Sequence, residues 1–215
     1  MPNKKLLGDL VTRVYPVDLQ TRADNDKETG TITGVPIVFG VRTDLGYFDE
    51  IIDPRALDGA DLSDVRLCLN HDTSFVYARS RRNNPNSTMR FSIQPDGMHI
   101  EADLAIGRSA KAADYFTAVE RGDISSMSFM FSIDGEEWEN LETDHPLHRI
   151  TKISSVVEVS AVTFPAYPTT SVEVNERSKE ALESARAAVE TARKQVRRDD
   201  DAHELALLKA KIMIL

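Results

Sequence analysis

Short runs in which apolar and polar residues alternate occupy most of the first 174 residues of the chain. Such alternation places successive side chains on opposite faces of a β-strand. It predicts six strands, over residues 31–39, 65–69, 89–93, 98–104, 124–133 and 148–163. Pro95, Asp96 and Gly97 separate the third strand from the fourth and predict a hairpin turn, in which Gly97 supplies a positive φ.

Helical segments interrupt these strands at two places. Ser109 is a suitable N-cap, residues 110–121 have a helical pattern, and Gly122 ends the helix at little steric cost. Pro54 predicts a shorter helix that runs through Leu57. Because strands and helices do not alternate regularly, we predict an α+β domain with a β-barrel-like core and a few helices, rather than a doubly wound sheet.

The pattern changes after residue 174. Gly and Pro are absent from residues 175–215, where Ala, Glu, Arg and Lys dominate. Apolar residues recur there at helical spacing, first at Leu182, Ala185, Val189, Ala192 and Val196, then at Leu205, Leu208, Ile212 and Leu215. We therefore predict a domain over residues 1–174 and a C-terminal helical extension over residues 175–215. The extension serves as an interaction arm, or it is a helix folded back onto the domain.

Composition and charge exclude several classes of function. Among 215 residues, 26 Lys and Arg face 35 Asp and Glu, which gives a net charge of −9. This balance argues against a nucleic-acid-binding protein, because phosphate binding needs clustered cations. Residues 1–10 contain no apolar run typical of a signal peptide, and no stretch is long enough to span a membrane. Cys68 is the only cysteine and is expected to be a small buried apolar residue.

The segment over residues 122–131, Gly-Asp-Ile-Ser-Ser-Met-Ser-Phe-Met-Phe, contains candidate nucleophiles. In a strand, Met127 and Phe129 share the apolar face, whereas Ser126 and Ser128 share the other. The hydroxyls would then face solvent or a cleft, where a nucleophilic serine has rigid support and access to substrate. The same pattern also describes a half-exposed strand with serines on its solvated face.

A histidine and a carboxylate are candidates for proton transfer. His71 follows an apolar strand, and its neighbours Asn70 and Asp72 can hold the local turn by bonding nearby backbone groups. An imidazole held in this way can act as a general base near neutral pH. Glu158 is the only charge in residues 153–168. It either points outward, or it is buried and paired with a histidine, which it would orient.

Two other clusters are weaker candidates. Asp144, His145 and His148 offer ligand atoms, but two histidines on a loop without a matching cluster are a poor zinc pattern, so no metal site is predicted. The basic patch over residues 79–82 is either a solvated turn or a contact for substrate or an oxyanion.

Several motifs together resemble the caudovirus prohead protease family in their order and spacing. They occupy residues 50–57, 69–72, 122–131 and 158–168, and further similarity extends over residues 34–39 and 96–102. The resemblance covers roughly residues 31–174. This family is similar in fold to the herpesvirus assemblins, which use a β-barrel and an unusual serine triad.

The resemblance implies a serine endopeptidase that needs no cofactor. It would cleave segments of scaffold or major capsid protein in the host cytoplasm, inside the assembling procapsid. It would have no nucleic-acid or membrane partner, and it could form a homo-oligomer through the barrel or the C-terminal helix. The alternative from another class is a non-enzymatic assembly or scaffold protein on the same fold.

The resemblance also assigns roles to particular residues. The family's histidine matches His71, its nucleophile matches Ser128, and its acidic third member best matches Glu158. The neighbouring alternatives are Ser125 and Ser126 for the nucleophile, and His145 and His148 for the third member.

Overall fold

The computed structural model describes residues 10–24, 28–163, 179–195 and 198. These residues form eleven strands and two helices. The strands are β1 (Leu10–Pro16), β2 (Gln20–Ala23), β3 (Gly30–Val38), β4 (Thr43–Asp44), β5 (Asp49–Ile52), β6 (Asp64–Leu69), β7 (Ala78–Arg81), β8 (Met89–Gln94), β9 (Gly97–Leu104), β10 (Ser126–Glu139) and β11 (Leu147–Val162). The helices are α1 (Ala110–Glu120) and α2, over residues 179–195.

The strands form two sheets. The larger sheet has the order β1-β10-β11-β5-β4, with β6 also paired to β11 and β7 paired to β6. Strand β11 is long enough to pair in parallel with β5 near its start and with β6 near its end. The smaller sheet has the order β2-β3-β9-β8. One core joins the two sheets, with buried residues such as Ile37, Met98, Phe129 and Val159.

All six predicted strands are present, with bounds that differ at most by a few residues, except that β10 continues to Glu139. The hairpin between β8 and β9 is also present. Gly97 has a φ of 158°, and a Cβ there would lie 2.1 Å from the carbonyl oxygen of Ile37. The positive φ predicted for Gly97 is therefore confirmed, and the close approach of β3 also requires glycine at this position.

Helix α1 forms as predicted. The Ser109 hydroxyl accepts a hydrogen bond from the backbone N–H of Ala112, which is the expected N-cap. The buried residues recur every three or four positions, at Ala112, Tyr115, Phe116 and Val119. Gly122 follows the helix with a φ of 77°.

The predicted helix at residues 54–57 is wrong, because this segment forms tight turns. Ala56 N–H bonds the carbonyl of Asp53 and Asp58 N–H bonds the carbonyl of Arg55, each three residues back, where an α-helix would use the residue four back. The Ala56 carbonyl accepts instead from Ile153 N–H of β11 at 2.7 Å. Pairing with β11 therefore replaces the helical hydrogen bond.

The α+β class is confirmed, but the predicted barrel is not closed. Among the described residues, no backbone ladder joins β1 to β4 at the two ends of the larger sheet. Strand β4 is only two residues long and offers few backbone groups for pairing. Side chains bridge this gap instead, since Arg13 Nε and Nη2 on β1 donate to Oε1 and Oε2 of Glu50 on β5, the neighbour of β4, at 2.5 and 2.6 Å.

Helix α2 packs against the larger sheet through its first two turns. Leu182 is only 4% exposed and packs in a small apolar cluster with Leu45, Phe48, Trp138 and Leu141. Arg186 donates to the carbonyl oxygens of Leu141 and Thr143 at 3.0 and 2.6 Å. Later in the helix, Val189 is 36% exposed. For residues 179–195 the structure thus agrees with a helix folded back onto the domain. The second predicted helical segment, at residues 205–215, and the predicted boundary at residue 174 lie outside the described residues.

Candidate active site

The turn after β6 positions His71. Asn70 and His71 have φ values of 52° and 60°, in the left-handed region that non-glycine residues seldom adopt. Contacts with the end of β11 hold this turn: Asn70 N–H donates to the Ala161 carbonyl at 3.0 Å, and Asn70 Oδ1 accepts from Thr163 N–H at 2.9 Å. Such backbone strain persists only where surrounding contacts fix it, and it often marks functional sites.

His71 and Glu158 are in direct contact. Nδ1 of His71 lies 2.7 Å from Oε2 of Glu158. The Glu158 side chain is 3% exposed, whereas that of His71 is 25% exposed. Glu158 is therefore buried and paired, and the outward-facing alternative does not occur. Because an ionised carboxylate only accepts hydrogen bonds, this contact places the proton on Nδ1 and leaves Nε2 free as a base.

Ser160 bonds to both members of this pair. Its Oγ donates to Oε1 of Glu158 and accepts from the backbone N–H of His71 at 3.0 Å. Ser160 was not among the residues predicted from the sequence. The sequence does contain one indication of its role. Ser160 lies two residues after Glu158, which places both side chains on one face of β11.

Ser128 lies on the same face of the sheet as Glu158 and Ser160. In the β10–β11 pair it stands directly opposite Ser160, and opposite residues of an antiparallel pair point to the same side, with Cβ atoms about 4.5–5.5 Å apart. The Ser128 hydroxyl donates to the Arg13 carbonyl of β1 at 2.8 Å. No hydrogen bond joins Ser128 to His71 within the part of the chain that the structure describes.

The expectation that the serine face of β10 is open to solvent or a cleft is wrong. Ser126 and Ser128 are 1% and 0% exposed, and Ser132 is also buried. Strand β1 runs beside the whole serine segment, so the Ser128 hydroxyl finds its acceptor in backbone rather than in water. The apolar face, with Met127, is buried as predicted.

His148, an alternative third member, lies at the opposite end of β11. Its Nδ1 is 3.0 Å from Glu50 Oε2, and its Nε2 is 2.8 Å from Glu136 Oε2. The ring stacks on Trp138 with a centroid separation of 4.4 Å and is 3% exposed. Both nitrogens thus already have carboxylate partners, and neither contacts His71.

His145, the other alternative, is exposed and lies near two aspartates. Its Nε2 is 3.1 Å from Asp49 Oδ1 and 3.6 Å from Asp44 Oδ1. Potential ligand atoms of these three residues lie within 4.8 Å of one another, a grouping that differs from the Asp144 cluster considered from sequence. The Arg42 guanidinium bonds Asp49, and its positive charge opposes cation binding there.

The basic patch over residues 79–82 is partly neutralised. Arg79 donates to both carboxylate oxygens of Asp64, at 2.6 and 2.8 Å. Hydrogen bonding from Arg79 keeps the pKa of Asp64 below its ordinary value. Arg79 therefore already has an anionic partner across the β6–β7 pair.

Cys68 is buried beside the site, opposite Ser160 in the β6–β11 register. Burial, followed by the nearby negative charge of Glu158, raises the pKa of its thiol to about 11. A thiol with so little thiolate is a poor nucleophile, in agreement with the role of a small buried residue.

Comparison with known families identifies the class of protein. A family model described as caudovirus prohead serine protease matches residues 17–185, a span that includes His71, Ser128 and Glu158. This match identifies the chain as a serine peptidase. It belongs to the caudovirus prohead serine protease family. No curated protein and no solved structure matches the chain. None of the helices in the described ranges is long and apolar enough to cross a membrane.

Proposed function

We propose that the chain cleaves segments of scaffold and major capsid protein during procapsid maturation, with Ser128 as nucleophile, His71 as general base and Glu158 as third member. The contact between His71 Nδ1 and Glu158 Oε2 is the observation that carries this proposal. The family implies that the reaction takes place inside the assembling procapsid, in the host cytoplasm.

The proposed mechanism is acyl transfer. Nε2 of His71 removes the proton of Ser128, whose Oγ attacks the peptide carbonyl carbon, and His71 then protonates the leaving amine. Water hydrolyses the acyl-enzyme with His71 again as base. Glu158 keeps the proton on Nδ1 and stabilises the imidazolium that forms in each step.

This mechanism requires a change in the Ser128 side chain. Its hydroxyl now donates to the Arg13 carbonyl on the β1 side, whereas the site lies on the β11 side. Rotation about χ1 to another staggered rotamer moves Oγ away from that carbonyl. Because Ser128 is 0% exposed, the residues that cover it must also move before a substrate can reach it.

We further propose that the fold is an opened variant of the herpesvirus assemblin fold. Two features support this. Ser128 and Glu158 lie on the neighbouring strands β10 and β11, with His71 in the turn after β6, which also pairs with β11. The ion pair between Arg13 and Glu50 bridges the open side of the larger sheet.

We also propose that residues 1–174 are the peptidase domain and that residues 175–215 target the enzyme to the procapsid or act as a scaffold segment. The compositional change after residue 174 supports this division. A chain ending at Val174 should retain peptidase activity but should not be packaged into procapsids. Normal packaging of the shortened chain would contradict the targeting role.

Co-expression with the cognate major capsid and scaffold proteins tests the proposed peptidase function. Ser128→Ala and His71→Ala should abolish processing, as judged by gel mobility and mass spectrometry of the products. Ser126→Ala is the matched control, since it removes a buried hydroxyl from the same face of the same strand. It should leave processing intact.

Two results would contradict the assignment. Loss of processing in Ser126→Ala, with normal processing in Ser128→Ala, would identify Ser126 as the nucleophile. Assembly without any processing by the wild-type chain would favour the non-enzymatic assembly protein.

A further inference from the structure

The Ser160 hydroxyl is the one atom that bonds to both His71 and Glu158 among the described residues. Ser160 is 0% exposed, and its Oγ cannot exchange these bonds for bonds to bulk water. It donates once, to Glu158 Oε1, and accepts once, from the His71 backbone N–H. Only a hydroxyl fulfils both functions well at this position, because it has one strong donor and two lone pairs.

We infer that Ser160 is a positioning residue of the active site, which sets the orientation of the Glu158 carboxylate relative to His71. This inference rests on the proposed function. The terminal torsion of a glutamate is broad, so a carboxylate with one partner can rotate about it. Ser160 holds Oε1. Without this bond the carboxylate could rotate, and the rotation would carry Oε2 away from Nδ1 of His71. With both oxygens held, Oε2 stays 2.7 Å from Nδ1.

The second bond of Ser160 acts on the position of the histidine itself. The backbone of His71 is in the left-handed region, where a non-glycine residue is held by its contacts. Its N–H is bonded to Ser160 Oγ, so one hydroxyl fixes both the backbone of the base and the side chain of the acid. Loss of this hydroxyl should therefore change the geometry between the two residues more than it changes the fold.

Ser155 shows that burial in β11 does not by itself provide such bonds. It is a buried serine on the same strand, 5% exposed, yet its Oγ has no hydrogen-bond partner. Ser155→Ala removes the same atom as Ser160→Ala without removing any hydrogen bond. It is therefore a matched control for the effect of a smaller buried side chain.

The test combines processing rates with the proton resonance of His71 Nδ1–H. Processing is measured as the initial rate at which the full-length enzyme cleaves purified precursor of the major capsid protein. An imidazole N–H bonded to a buried carboxylate gives a low-field proton signal, which can be detected after ¹⁵N labelling of histidine. The signal is assigned to His71 if it is absent from the His71→Gln variant. This signal reports the contact between His71 and Glu158 whether or not the enzyme turns over.

Ser160→Ala should lower kcat roughly 100-fold with little change in KM, because misplacement by about 1 Å costs a factor of this order. The low-field signal should broaden or disappear. Ser160→Thr keeps a hydroxyl and should recover both readouts at least in part, whereas Ser155→Ala should change neither.

Wild-type kcat and an unchanged signal in Ser160→Ala would overturn the inference. So would a loss of activity in Ser160→Ala that Ser155→Ala reproduces, since this would be an effect of packing. A wild-type chain that cleaves nothing would contradict the proposed function instead, and the resonance would still report whether Ser160 positions Glu158.

Discussion

At the scale of single residues, Glu158 shows how an apolar strand accommodates a charge. A buried carboxylate without partners is costly, because its charge loses the stabilisation of water. Here Oε2 faces His71, Oε1 accepts from Ser160, and the side chain is 3% exposed. The two hydrogen bonds offset part of the loss of hydration, and they also give the carboxylate one defined orientation.

Glu158→Gln should therefore impair catalysis more than folding. The amide can present an N–H to Nδ1, which favours the tautomer with the proton on Nε2 and prevents His71 from acting as a base. We expect the processing rate to fall by roughly 10⁴-fold, as for the corresponding change in a Ser-His-Asp triad. Initial rates for protein with unchanged circular dichroism test this.

The matched control is Glu137→Gln, which makes the same chemical change at an exposed position of β10. It should process at the wild-type rate. A Glu158→Gln variant that is as active as this control would exclude Glu158 from the proposed triad.

Some of this site could be predicted from sequence and some could not. Glu158 is the only charge in residues 153–168, and alternation separates Ser128 from the apolar face of its strand. The bond between Ser160 and His71, which are 89 residues apart, depends on which strand lies beside β11. The burial of Ser128 likewise depends on its neighbours in the fold, and alternation within one strand does not reveal them.

At the scale of elements, most of the strands that were not predicted are very short, and the seven-residue β1 is the exception. Strands β10 and β11 have 14 and 16 residues and a clear apolar pattern. Strands β4, β5 and β7 have two to four residues, and so short a run shows little alternation. The spacing of apolar residues also predicted helix α2. That spacing does not show, however, that only the first two turns of the helix pack against the sheet.

Leu182→Ala should detach α2 from the sheet and leave the remaining fold intact. Leu182 is 4% exposed beside Leu45 and Phe48, and its truncation should cost ~2–5 kcal/mol of docking free energy, as for buried leucines elsewhere. Amide hydrogen exchange should accelerate throughout α2, while exchange in β10 and β11 stays slow.

Val189→Ala is the control for this change. Val189 lies on the same helix but is 36% exposed, so its truncation should leave exchange in α2 almost unchanged. Equal acceleration in both variants would mean that contacts of Leu182 do not hold the helix.

At the scale of the whole molecule, a buried ion network replaces the backbone ladder that would have closed the barrel. Arg13 of β1 donates to both oxygens of Glu50 on β5, and His148 of β11 contacts the same carboxylate. Sequence patterns could not predict this closure, since Arg13 and Glu50 are 37 residues apart and no pattern in the sequence pairs them. Removal of one partner from such a pair leaves a buried charge uncompensated, at a cost of ~3–5 kcal/mol.

This network should make the fold sensitive to acid. Burial alone would raise the pKa of Glu50, but the charge of Arg13 and hydrogen bonds from His148 and Arg13 lower it from 4.5 to about 2. Above pH 4.5 the carboxylate is ionised in the folded and unfolded chains, and its contribution is complete. Between pH 4.5 and 2 the unfolded chain binds a proton that the folded chain does not, so ~3 kcal/mol of stability is lost as the pH falls.

Comparison with Glu50→Gln isolates this contribution, because the other carboxylates titrate in both proteins. The variant should be less stable than the wild type by ~3–5 kcal/mol at pH 7, where it leaves Arg13 unpaired. Urea denaturation at a series of pH values should show this difference shrinking between pH 4.5 and 2, since a protonated Glu50 is as uncharged as glutamine. A difference that stays constant over this range would mean that the charge of Glu50 does not hold β1 against β5.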